Sequence, residues 1–191
     1  MVKGAALRAF LDWYQDAHGA DAMHTVAANA PRDLAHLLDP STPVNMVLCA
    51  SWYPARLAHS ILDTVTSGMS EAGVLRLAKG ASRGVVAEAT TGVYGSFVRR
   101  LMTPDMYAAA VPRLWPQVHS TGQRRMERSG PTGYQSSVTR WTGHHPVLCL
   151  ASIEVMCAMF EAMGKRHVAW VRERCVSRGD NACVTHVTWQ G

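Results

Sequence analysis

Near residue 120 the hydrophobic periodicity of this sequence changes, and that change leaves few folds open. Beyond it, residues 123–129 and 134–141 alternate with period two around Gly130-Pro131-Thr132-Gly133. Alternation bounded by Gly and Pro signals a β-hairpin. The end of the chain repeats the pattern: 166–175 and 182–189 alternate around Ser177-Arg178-Gly179-Asp180-Asn181, a run rich in turn formers. Between the two hairpins stands 146–163, where Cys149, Ile153, Met156, Cys157 and Phe160 share one helical face before Gly164. Hairpin, helix, hairpin predicts a four-stranded antiparallel sheet carrying a helix.

The preceding residues read as helical. Leu7, Phe10, Leu11 and Tyr14 recur at helical spacing over 5–17, and Gly19 follows as a stop. Residues 20–29 are alanine-rich, and Pro31 opens a short helix through Leu38 that Asp39, Pro40 and Pro43 end. After Trp52-Tyr53-Pro54, one stripe (Leu57, Ile61, Leu62, Val65) runs to Gly68 and another (Val74, Leu75, Ala78) to Gly80. Glycines 84, 92 and 95 predict broken helices over 81–101, and Thr103-Pro104-Asp105 predicts a helix start leading to Trp115. The expected class is α+β, a helical N-terminal half packed on the four-stranded sheet. N-terminal helices in 1–43 would pack on a ligand-binding core of 44–191.

Composition excludes several functions. Hydrophobic residues make up 48% and charged ones 17%, below the usual charged share of about 25%, so the chain can bury a sizeable core. The net charge of +5 comes mostly from 121–191. There Arg124, Arg125, Arg128 and Arg140 fall on the first hairpin without interleaved aromatics or a known motif. They read as a solvated strand face, and no nucleic-acid partner is expected. Glu154 and Glu161 interrupt the longest apolar segment, so no membrane span is expected. The first residues lack the basic start and apolar run of a secretory signal. A cytoplasmic protein with reduced thiols is therefore expected from its five cysteines. No phosphate-binding loop, nucleophile elbow or paired-histidine zinc motif is present, so no catalytic residue is assigned.

The chemistry that remains is in the thiols. Cys175 and Cys183 flank the last hairpin turn, and Cys149 lies in the first turn of the preceding helix. Together they can fill three corners of a tetrahedral zinc site. Glu173 is the preferred fourth ligand, because residues two apart on a strand share a face, which turns Arg172 the other way. His144, His145 and His186 are the alternatives, and free thiols packed as small hydrophobes are the bland reading. Trp52, Tyr53, Phe97, Trp115, Met156 and Phe160 offer apolar area for a ligand pocket. His59, on a predicted helix, is the candidate axial ligand if haem is bound.

At these residues a family resemblance enters. Cys175-x7-Cys183 enclosing Arg178-Gly179-Asp180, after the helix with Cys149, resembles the C-terminal half of a 4-vinyl reductase domain. That domain belongs to the superfamily of NO-signalling and Golgi-transport ligand-binding domains. Trp52-Tyr53-Pro54, the 94–100 segment and Cys183-x5-Trp189 resemble in layout a paralogous family abundant in myxobacteria. The resemblance implies an α+β fold enclosing a small-molecule pocket between helices and sheet. It also implies zinc held by thiols matching Cys149, Cys175 and Cys183, plus a glutamate three residues before the first hairpin thiol, where this chain has Arg172. The expected function is a non-catalytic sensor or carrier of a small hydrophobic or aromatic molecule. It would have a structural zinc and act as a homodimer or with a signalling partner. The alternatives are a ligand-free scaffold module, a haem-based gas sensor, and an enzyme acting on a tetrapyrrole or aromatic substrate.

Overall fold

The computed structural model describes residues 1–39, 46–90, 95, 96, 98 and 100–190. They fall into two compact units, Met1–Leu77 with Val118–Ser120, and Ala78–Gln117 with Thr121–Gly191.

In the first unit a two-residue strand, β1 (Val2–Lys3), pairs antiparallel with β2 (Trp52–Tyr53). Helix α1 (Gly4–His18) buries Leu7, Leu11 and Tyr14, the stripe that its spacing dictates. Helices α2 (Ala20–Ala28) and α3 (Ala55–Thr66) follow, and α3 buries Leu57, Ala58, Ile61, Leu62 and Val65. The helix expected over 31–38 is replaced by a turn and a 3-10 helix at Ala35–Leu38. The cause is local: Leu34 donates to the Pro31 carbonyl (2.7 Å) and Leu37 to that of Leu34 (3.0 Å). These i to i+3 bonds wind more tightly than an α-helix. Pro40 and Pro43 lie outside the described residues.

Gly80 does not stop its helix either. Helix α4 (Glu71–Ala89) runs on through Gly80 and Gly84, passing from the first unit into the second. Leu77, Ala78, Ala81 and Val86 along it are buried. Burying that stripe outweighs roughly 1 kcal/mol of lost helix propensity per glycine. Gly92 and positions 94, 97 and 99 lie outside the described residues.

In the second unit, α5 (Pro104–Val118) begins as the sequence predicts. The Met106 amide donates to Thr103 Oγ1 (3.2 Å), with Pro104 and Asp105 in the first turn. Strands β3 (Gln123–Gly130) and β4 (Gly133–Thr139), helix α6 (Pro146–Ala162), and strands β5 (Arg166–Arg174) and β6 (Ala182–Gln190) follow. The sheet order is β3-β4-β6-β5, with every neighbour antiparallel. The α+β class and the hairpin, helix, hairpin plan are therefore both present. Helix α6 buries Cys149, Ile153, Met156, Cys157 and Phe160 as expected, and also Leu150 and Glu154. Phe160 is the centre of the core, its ring 5.1 Å from Trp189 and 5.7 Å from Tyr107. No helix among the described residues is long and apolar enough to cross a membrane.

Candidate metal centre

The end of β5, the start of β6 and the first turn of α6 bring four donor groups together: His144, Cys149, Cys175 and Cys183. Each position has a local cause. Pro146 fixes the start of α6, and the His145 ring caps it by accepting the Val147 amide at 3.2 Å. His145 is thereby engaged, while His144, one residue earlier, presents its Nε2 3.6 Å from Cys175 Sγ. Its imidazole stands edge-on to Trp141, with ring centres 5.2 Å apart. Cys149, one turn into the helix, puts its sulfur 3.9 Å from Cys175 Sγ. Cys183 Sγ is 3.7 Å from Cys175 Sγ. The turn between these last two is held by Asp180, whose carboxylate accepts the Cys175 amide at 2.8 Å, and by Gly179 at φ 90°.

The four donor atoms all lie within 4.8 Å of one another, and the three thiols are buried. Zinc bond lengths of about 2.3 Å to sulfur and 2.0–2.1 Å to imidazole nitrogen, arranged tetrahedrally, put sulfurs about 3.8 Å apart and nitrogen about 3.6 Å from sulfur. The three separations that involve Cys175, 3.6 Å to His144, 3.7 Å to Cys183 and 3.9 Å to Cys149, agree with those values, and the other pairs lie within 4.8 Å. The set is closed, with four protein donors, which is the arrangement of a structural rather than a catalytic site.

Glu173 is not among these donors. The pairing of β5 with β6 slips between Arg172, opposite Thr185, and Arg174, opposite Val184. This β-bulge adds one residue to β5 and reverses the side-chain alternation beyond it. Glu173 consequently hydrogen-bonds His186 at 2.8 Å on the exposed side, which also accounts for His186. Arg172 and Cys175, three apart, come to share the inner face. The position at which the 4-vinyl reductase resemblance implies a glutamate thus lies on the same strand face as Cys175 and holds an arginine.

The thiols differ in their protonation. Cys149 is driven well above the ordinary thiol range by its hydrogen bond with Cys183 and by burial. Cys183 moves the opposite way, because its hydrogen bonds with the Cys149 thiol, the Val176 amide and Cys175 favour its ionised form. Cys183 is therefore the first of this pair to ionise. The Val176 amide lies 3.5 Å from its sulfur, and Ser177 Oγ lies 3.1 Å from that of Cys175. Both contacts suit a thiolate ligand.

The residues read as pocket walls are divided. In the first unit, Tyr53 accepts the Leu48 amide through its hydroxyl at 2.8 Å, and Trp52 is half-buried under Lys3. Trp115, Met156 and Phe160 belong to the core of the second unit. Phe97 lies outside the described residues. Of the basic residues, Arg125 is exposed and Arg128 pairs with Asp105 at 2.6 Å, but Arg124 is buried. It donates to Ser136 Oγ (3.0 Å) and the Ser152 carbonyl (3.2 Å), having the inward parity of its partner Val138. The reading of a wholly solvated face is corrected at that residue.

The fold and site together define an α+β domain with a C-terminal thiolate and imidazole cluster. Domains of this architecture include H-NOX proteins. The Fe(II) unliganded H-NOX protein of K. algicida superposes with a TM-score of 0.72 at 10% identity, covering 99% of this chain and 97% of that one. The S. oneidensis H-NOX protein in its Fe(II)NO ligation state gives 0.65 at 14% identity, covering 99% of both chains. A structure concerned with haem redox potential and protein-induced porphyrin distortion gives 0.66 at 8%, again covering 99% of both. This chain has their fold along its whole length. No protein-family model and no curated protein matches it. The α+β fold that the resemblance implies is the one these structures share, and neither a 4-vinyl reductase nor a myxobacterial family is shown by them.

Proposed function

We propose that this chain is a sensor domain of the H-NOX architecture whose second unit is fastened by a structural zinc ion on His144, Cys149, Cys175 and Cys183. The observation that carries the metal is the clustering of four donors within 4.8 Å of one another, with Cys175 standing 3.6–3.9 Å from the other three as in a tetrahedral zinc site. The likeness to H-NOX proteins across the chain carries the sensor role.

A second reading, haem-based gas sensing, is favoured by those likenesses over a carrier of aromatic molecules. Haem, when bound, supplies iron to a diatomic ligand and needs an axial donor from the protein. Neither α5 nor α6 carries a histidine. Burial raises the Tyr107 phenol and pushes the Cys157 thiol up to about 12. Helices α5 and α6 therefore offer haem no imidazole. His59, half-buried on α3 of the first unit, remains the imidazole proposed from the sequence.

Metal analysis of the purified chain, followed by haem titration, tests both readings. One zinc per chain and no Soret band on adding haem is the expected result. A chain that takes up no zinc overturns the metal centre. A stoichiometric Soret band that changes in His59→Ala replaces the first reading with the second.

A further inference from the structure

A zinc ion with three thiolates and a neutral imidazole carries one net negative charge, and this centre is buried on its three sulfur corners. Such a charge is costly away from water unless a cation lies beside it. The inner face of β5 supplies one candidate. Arg172 pairs with Thr185, two residues along β6 from Cys183, and shares the face of Cys175 because of the bulge. Its Nε is buried without a hydrogen-bond partner. None of the ion pairs found among the described residues involves it. Its guanidinium carbon stands 5.6 Å from the centre of the Trp170 ring.

We infer that Arg172 is the charge-compensating partner of the zinc thiolate centre, a residue that selects the metal-loaded over the metal-free state without touching the metal. The inference rests on the zinc reading above and extends it to a positioning residue. In the metal-free protein Arg172 is a half-buried cation with an orphan donor. Zinc held by three thiolates, whose remaining protons pass to solvent, makes the centre anionic, and Arg172 neutralises it. The arrangement also accounts for an arginine, which cannot serve as a ligand, on the strand face of Cys175.

The test is zinc affinity of the full chain, measured by competition with a chelating indicator, in the parent, Arg172→Gln and Arg172→Lys. Partners behind the ligands typically contribute 10- to 100-fold to metal affinity. Arg172→Gln should thus bind zinc about tenfold or more weakly, and Arg172→Lys within about threefold of the parent. The metal-free Arg172→Gln protein should melt no lower than the metal-free parent, because it has lost an uncompensated cation and no ion pair. Equal affinity in Arg172→Gln overturns the inference while leaving the zinc site standing. So does an equal loss in Arg172→Lys, or a lower melting point confined to the metal-free state, either of which assigns the effect to packing. A parent that binds no zinc removes the centre itself, and the role of Arg172 with it.

Discussion

Four of the five cysteines are buried, yet their surroundings differ enough to separate their roles. Cys157 sits in the core between Met156 and Ala158, its thiol pushed up by burial and by the nearby Glu154 and Glu161 carboxylates. Cys183 faces two other sulfurs and an amide donor. Cys157→Ser should therefore keep its zinc and lose about 1–3 kcal/mol of stability, the cost of burying a hydroxyl without a designed partner. Cys183→Ser should lose the metal outright, because a serine hydroxyl stays protonated where a thiolate is needed. Zinc content and melting temperature, measured on both variants together, check the contrast. Equal retention of metal would mean that the thiols at the hairpin are ordinary core residues.

At the scale of elements, the turn that joins β5 and β6 is the part on which the centre most depends. Gly179 closes it at φ 90°, a conformation that costs other residues about 1–2 kcal/mol. Gly179→Ala has open space for its methyl group, so strain alone should appear, as a loss of about 1 kcal/mol in denaturant melts and a faster release of zinc to chelator. This turn was legible in the sequence, and so were α1, α3, α6 and both hairpins, because period and stop signals agree in each. Three features were not. Glu173 reads as facing with Cys175 because period two is assumed, and the bulge that breaks it arises only from the pairing of β5 with β6. His144 and His145 are equivalent in sequence until the start of α6 uses one as its cap. Gly80 reads as a stop because the contacts that carry α4 past it, Ser82 to the Ala151 carbonyl and Arg83 to Glu161, come from residues distant in the chain. The first and last of these lie where a tertiary contact overrides a local rule, and the second where a local cap chooses between two neighbouring imidazoles.

For the whole molecule, the decisive property is that all four donors, the core around Phe160 and the complete four-stranded sheet belong to one unit, while α1, α2 and α3 belong to the other. A metal that binds only the folded second unit contributes its binding energy to the stability of that unit. Removing it should not simply unfold the chain, because the aromatic core among Tyr107, Phe160 and Trp189 is built without metal ligands. The melting temperature should fall by about 10 °C or more on chelation, and the loss should be local first. Hydrogen exchange followed by mass spectrometry should accelerate in peptides covering 144–149 and 175–183, where the donors reside. Peptides of α1 and α3 should exchange at their original rates, and the middle of α6 should remain protected. Uniform acceleration across both units would mean that the centre stabilises the molecule as one cooperative body. No change anywhere would mean that packing alone holds the hairpin, and the tetrahedral spacing of its donors would then reflect close contact among thiols rather than a metal.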